Sequence, residues 1–139
     1  MVRIIQSSTP GRERGKLSKA IVITIREFMR QEAPDFSTKD MVAFVILALQ
    51  EISRGIDLSV TAWEKRGYWV KADKYRLVWQ WTGVMSNKLQ IAFSKEDWAT
   101  IAGYFLECME KFSNIKVSDK HRMGQPWENA YKNYSKLMK

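Results

Sequence analysis

The chain has 139 residues, 45% of them hydrophobic and 27% charged, which excludes a disordered protein and suits one domain with a sizeable core. Cys108 is the only cysteine, so no internal disulfide can form, and a reducing cytoplasmic setting is expected. Twenty-three Lys and Arg face 15 Asp and Glu, giving a formal charge of +8 and a pI near 9.7, which points to a polyanionic partner.

The first residues, Met1 to Gln6, lack the apolar run and cleavage site of a secretory signal, so Met1 reads as the start of a cytoplasmic protein. Residues 1–15 combine Ser7-Ser8-Thr9-Pro10-Gly11 with Arg12-Glu13-Arg14-Gly15 and read as a flexible basic arm; residues 16–139 read as a single all-helical domain. Leu17, Ala20, Ile21, Thr24, Ile25, Phe28 and Met29 recur at helical spacing and predict a first helix from about Lys16 to Gln31, closed by Ala33-Pro34.

Ser37-Thr38-Lys39-Asp40 has the form of a capping box and should open the second helix. From there a register of three- and four-residue steps runs through Val42, Val45, Leu49, Ile52, Ile56, Val60, Trp63, Gly67, Val70, Lys74, Leu77, Trp81 and Val84. A continuous helix of that length would reach about 65 Å, too long for a compact domain, so a break or kink is expected at Gly55, with Asp57 helping to restart the next helix. Lys74 falls in the inward register, where an ammonium needs a partner or a route to water. Gly83 to Gln90 should be a turn, and Ser94-Lys95-Glu96-Asp97 a second capping box. Trp98, Ile101, Ala102, Phe105, Met109 and Phe112 mark the next helix; 113–125 reads as a loop, and Pro126 as the first turn of a last helix bearing Trp127, Ala130, Tyr131, Tyr134, Leu137 and Met138. The expected fold is an all-α bundle of about five helices with a long, kinked central helix. The longest apolar run, Met41 to Leu49, is far short of the roughly 20 residues a membrane span needs.

Enzyme chemistry finds few candidates. One Cys and one His, Cys108 and His121, do not form a zinc motif, and no phosphate loop, nucleophile elbow or dinucleotide fingerprint occurs. No catalytic residue, metal site or cofactor is expected; the carboxylates Glu96-Asp97 and Glu107 with Glu110 leave a metal-dependent nuclease as a minor alternative.

The positive charge is clustered. Arg3, Arg12, Arg14, Lys16 and Lys19 face one acid, Glu13; Lys65, Arg66, Lys71, Lys74 and Arg76 face Asp73; Lys111, Lys116, Lys120 and Arg122 face Asp119; Lys132, Lys136 and Lys139 follow Glu128. Such patches suit phosphate contacts that are salt-dependent and indifferent to sequence. From Trp63 to Trp81 aromatics alternate with bases, and Tyr68, Trp69, Tyr75 and Trp79 lie off the inward register, where exposed rings beside cations can stack on unpaired bases. The candidate nucleic-acid-binding set is therefore Arg12, Arg14, Lys16, Lys65, Arg66, Lys71, Arg76, Lys120 and Arg122, with Tyr68, Trp69 and Tyr75 as stacking rings.

In its length, basicity and helical content the chain resembles the small helical subunits of type III CRISPR effector complexes, which line a filament beside guide and target strands. The resemblance is one of overall form and implies a non-enzymatic, RNA- or single-stranded-DNA-binding subunit of an antiviral ribonucleoprotein assembly. The alternative reading is a helical protein–protein interaction module or homo-oligomer without a nucleic-acid role; a helix-turn-helix DNA reader ranks below both, since no short recognition helix stands out.

Overall fold

The computed structural model describes residues 10–137, all of whose regular structure is helical. The helices are α1 (Pro10–Met29), α2 (Phe36–Lys65), α3 (Trp69–Trp79), α4 (Trp81–Ser94), α5 (Trp98–Lys111) and α6 (Ala130–Leu137). α3 and α4 meet at Gln80, whose backbone stays right-handed helical, so together they make one bent helix of 26 residues, and the described residues form a bundle of five helices.

α2 is the central rod, with α1, α3, α4 and α6 around it and α5 resting on α4 and α1. Its buried side chains include Met41, Val42, Val45, Ile46, Leu49, Ile52, Ile56 and Val60, the expected period of a helix with one wide apolar face. α1 contributes Ile21, Ile25 and Phe28, and Phe28 meets Phe105 of α5 edge-on at 4.7 Å. Each of these large side chains contributes about 1.5–3 kcal/mol by leaving water. α4 approaches α2 closely: Ser86 Oγ donates to the Ile46 carbonyl at 3.1 Å, and a Cβ on Gly83 would stand 2.8 Å from Ser53 Oγ.

Several boundaries differ from the sequence expectation. Of the expected arm, residues 1–9 lie outside the described residues, but Pro10–Gly15 are the first turns of α1, because proline is at ease where a helix start leaves amides unbonded. α1 ends at Met29, which is already 41% exposed. The cap of α2 is Asp35, not Ser37: the Thr38 amide donates to Asp35 Oδ1 and the Asp35 amide to Thr38 Oγ1, both at 3.0 Å. Asp40 is occupied elsewhere, accepting from the Tyr131 amide at 2.9 Å and so anchoring α6.

The helix does not break at Gly55. Ile52 and Ile56, buried on either side, hold α2 continuous, outweighing a glycine cost of about 1 kcal/mol. α2 stops instead at Gly67, whose φ of +82° closes a Schellman turn: the Tyr68 amide donates to the Trp63 carbonyl at 2.9 Å and the Gly67 amide to Glu64 at 3.0 Å. That turn resets the helical phase. Val70, Leu77 and Val84, expected inward, are 69%, 70% and 56% exposed, and Lys74 stands in solvent, while Ala72 is buried with Tyr75 and Trp79 packed beside it.

The expected turn at 83–90 is the middle of α4. The second capping box is also displaced. Ser94 ends α4 with its hydroxyl donating back to Ile91, and Asp97 caps α5 by accepting from the Thr100 amide and hydroxyl. Between them Glu96 has a φ of +49° and occupies the place glycine usually takes in a Schellman turn, with the Asp97 amide reaching the Ala92 carbonyl at 3.0 Å. Pro126 and Trp127 lie in turns ahead of α6, which starts only at Ala130; Leu137 is exposed, and Met138 lies outside the described residues.

Candidate nucleic-acid interface

The early start of α1 determines the site. Gly11, Gly15 and Ser18 recur at steps of four and three and share one face of α1, which the missing and small side chains leave open. Opposite stand Val78, Trp79 and Trp81 at the α3–α4 bend, and Phe112, Asn114 and Ile115 after α5. Between them is a cleft of about 390 Å³, within the range of small-ligand sites.

Its rim is cationic. Arg14, Lys19 and Lys111 line it, and no Asp or Glu does. The Arg14 guanidinium lies 4.9 Å from the Tyr75 ring centroid and 5.0 Å from that of Trp79. Burial lowers its pKa from the ordinary arginine value, yet an arginine stays charged in a protein. Lys111 Nζ stands 5.9 Å from the Trp81 ring, which in turn meets Phe112 edge-on at 5.3 Å. Ser18, which lines the cleft, is 2% exposed, and its buried hydroxyl has no hydrogen-bond partner among the described residues. A mid-helix serine normally bonds back to the carbonyl four residues earlier, and leaving a buried hydroxyl unbonded costs about 1–3 kcal/mol.

The cleft continues as a basic track. Arg12, Lys16 and Lys19 recur along an adjoining edge of α1, with Glu13 on the other side of the helix. The loop after α5 follows α1 from the cleft, where Asn114 and Ile115 line it, to the far end. There the Val117 carbonyl accepts from Arg26 at 2.7 Å and Asp119 pairs with Arg26 and Arg30 at 2.9 and 3.3 Å. Exposed Lys116, Lys120 and Arg122 ride on that loop.

The predicted residues thus separate into two groups. Arg12, Arg14, Lys16, Lys120 and Arg122 belong to the α1 edge and its loop; Lys65, Arg66, Lys71 and Arg76 belong to the α2–α3 corner. At that corner Arg76 is held by Glu64 and Asp73 at 2.9 and 2.8 Å, and Lys71 Nζ sits 4.5 Å from the Trp63 ring. Tyr68 and Trp69 are 54% and 59% exposed beside exposed Lys65 and Arg66. Tyr75 is committed internally, edge-on to Trp63 at 4.8 Å and covered by Arg14. Ser18 and Trp81, with Lys19 and Lys111 on the rim, are outside the predicted set; Trp79 is named among the off-register rings but not in that set. The small-residue spacing of Gly11, Gly15 and Ser18 signals the opening only once α1 is known to begin at Pro10.

Among the described residues no group of three or more His, Cys, Asp and Glu is arranged to hold a metal ion. Cys108 is buried, its thiol pushed up to about 12 chiefly by desolvation and secondarily by Glu107, so it is not a thiolate at neutral pH. The His121 Nδ1 accepts from the Met123 amide at 3.3 Å. No helix among the described residues is long and apolar enough to cross a membrane. Compared with protein-family models, curated proteins and solved structures, the chain matches none.

Proposed function

We propose that the protein is a non-enzymatic subunit that binds single-stranded nucleic acid, with the cleft between α1, the α3–α4 bend and the end of α5 as its principal contact. The observation that carries this reading is the cleft's composition: Trp79 and Trp81 in the wall, Arg14, Lys19 and Lys111 on the rim, and no Asp or Glu among the described residues that line it. Lysines and arginines neutralise backbone phosphates, and a ring wall accommodates an unstacked base. The basic edge of α1 and the 113–125 loop extend the phosphate contacts along the strand. In a ribonucleoprotein assembly such a subunit shields a strand without reading its sequence, because phosphate contacts carry no base information.

The experiment is a fluorescence-anisotropy titration with labelled single-stranded RNA, single-stranded DNA and duplex of equal length at low salt. Single strands should bind more tightly than duplex, whose paired bases cannot enter the cleft, and Gly15→Leu, which fills the opening, should weaken them. Absence of binding at low ionic strength, or equal affinity for duplex and single strand with no effect of Gly15→Leu, contradicts the reading.

A further inference from the structure

The outer face of the bent α3–α4 helix carries Val70, Leu77, Val84 and Ile91, each seven residues from the next and 69%, 70%, 56% and 60% exposed. Four large apolar side chains seven residues apart along about 32 Å of helix make one exposed apolar row, one of the two that a helix-pairing seam uses. Solvent-facing apolar residues normally occur singly, and among the described residues none covers this row. Lys74 and Lys88 interleave with the row at positions four residues after Val70 and Val84, and Lys95 follows Ile91 in the same way. Asp73 is the sole acid in the 26 residues of α3–α4, and Arg76 already holds it at 2.8 Å.

From this we propose that the α3–α4 outer face docks an acidic amphipathic helix of a partner protein. Apolar side chains of that helix pack between Val70, Leu77, Val84 and Ile91, while its Glu or Asp residues meet Lys74, Lys88 and Lys95. The charge decides the occupant. A second copy of this chain would bring the same lysine-flanked row against itself in either orientation, and like charges across such a seam repel. A nucleic-acid strand gains nothing from a row of exposed valine, leucine and isoleucine. The inference is independent of the cleft, which lies on the α1 side of the same helix.

The test uses a labelled synthetic 28-residue helix with Leu at the a and d positions and Glu at e and g, titrated at low salt. A second peptide of the same composition in scrambled order, and a third with Lys in place of Glu, are titrated alongside. The Glu heptad peptide is expected to bind, and the other two at least about tenfold more weakly, the equivalent of 1.4 kcal/mol. Leu77→Lys and Val84→Lys, both at exposed positions and so without cost to the core, should each weaken it about tenfold or more with the circular dichroism spectrum unchanged. Lys19→Glu in the cleft should leave peptide binding as it is, and Leu77→Lys should leave oligonucleotide binding as it is, which separates this proposal from the nucleic-acid reading. Equal binding of the scrambled peptide, no effect of Leu77→Lys and Val84→Lys, or loss of the peptide signal in Lys19→Glu overturns the proposal. So does a protein that sediments as a dimer and becomes a monomer on Leu77→Lys, since the row is then covered by a second copy.

Discussion

The Arg14 guanidinium lies 5.0 Å from the centroid of the Trp79 ring and so ties the first turns of α1 to the α3–α4 bend. Tyr75, at 4.9 Å, completes the contact. A cation over an aromatic face is worth about 0.5–1 kcal/mol at a partly exposed site, and here one cation serves two rings. Arg14→Gln should therefore lower stability by about 1 kcal/mol in urea denaturation, and Arg14→Lys by less. An unchanged midpoint in Arg14→Gln would mean that the stacking does not hold α1 in place.

The two Schellman turns make opposite predictions. Gly67 has a φ of +82°, and nothing crowds the place a Cβ would take, so Gly67→Ala should cost about 1 kcal/mol through backbone conformation alone. Glu96 already pays for a φ of +49°, and its contact with Lys39, at 4.0 Å and exposed, is weak. Glu96→Gly should raise stability by about 0.5–1 kcal/mol. Thermal denaturation of both variants checks the pair, and the same sign for both would refute the assignment.

The start of α2 can be located by substitution. Asp35→Ala removes the reciprocal cap with Thr38 and should cost about 1 kcal/mol. Ser37→Ala, beyond the cap, should be close to neutral. Equilibrium unfolding of the two variants distinguishes a helix capped at Asp35 from one capped at Ser37.

These cases also show what the sequence conveyed. The buried faces of α1, α2 and α5 were legible because Ile21, Leu49 or Phe105 lies in an uninterrupted helical period against one core. Phase was lost at Gly67, because steps of three and four residues continue through a left-handed turn as readily as through a helix, and periodicity alone does not register the rotation. Gly55 and Gly83 were misread because a glycine within a helix looks like a stop unless the packing around it is known. Of the site, the cations Arg14 and Lys111 were visible as clustered charge. The cleft itself was not, since its walls come from segments nearly 100 residues apart, and Pro10 and Gly11 disguised the start of α1.

Cys108 gives a pH prediction. Burial raises its folded pKa to about 12, above the ordinary thiol value of 9.0, so the neutral thiol favours the folded state. That contribution is fully present below about pH 9 and is lost as pH rises toward 12. Stability should fall over this alkaline window, and Cys108→Ala should show a shallower fall. At pH 8 a thiol reagent should label the native protein slowly and the urea-unfolded protein fast; equal rates would contradict the burial.

The central claim is that Lys19 and Lys111 meet phosphates at an aromatic cleft. It is tested most directly by the slope of log K against log salt concentration for a labelled single-stranded oligonucleotide, measured for the native chain and for Lys19→Gln with Lys111→Gln. Each phosphate contact on a single strand contributes about −0.7 to that slope. The double variant should bind more weakly at low salt and with a slope shallower by about 1.4. An unchanged slope, or no binding by the native chain at low ionic strength, would contradict the account.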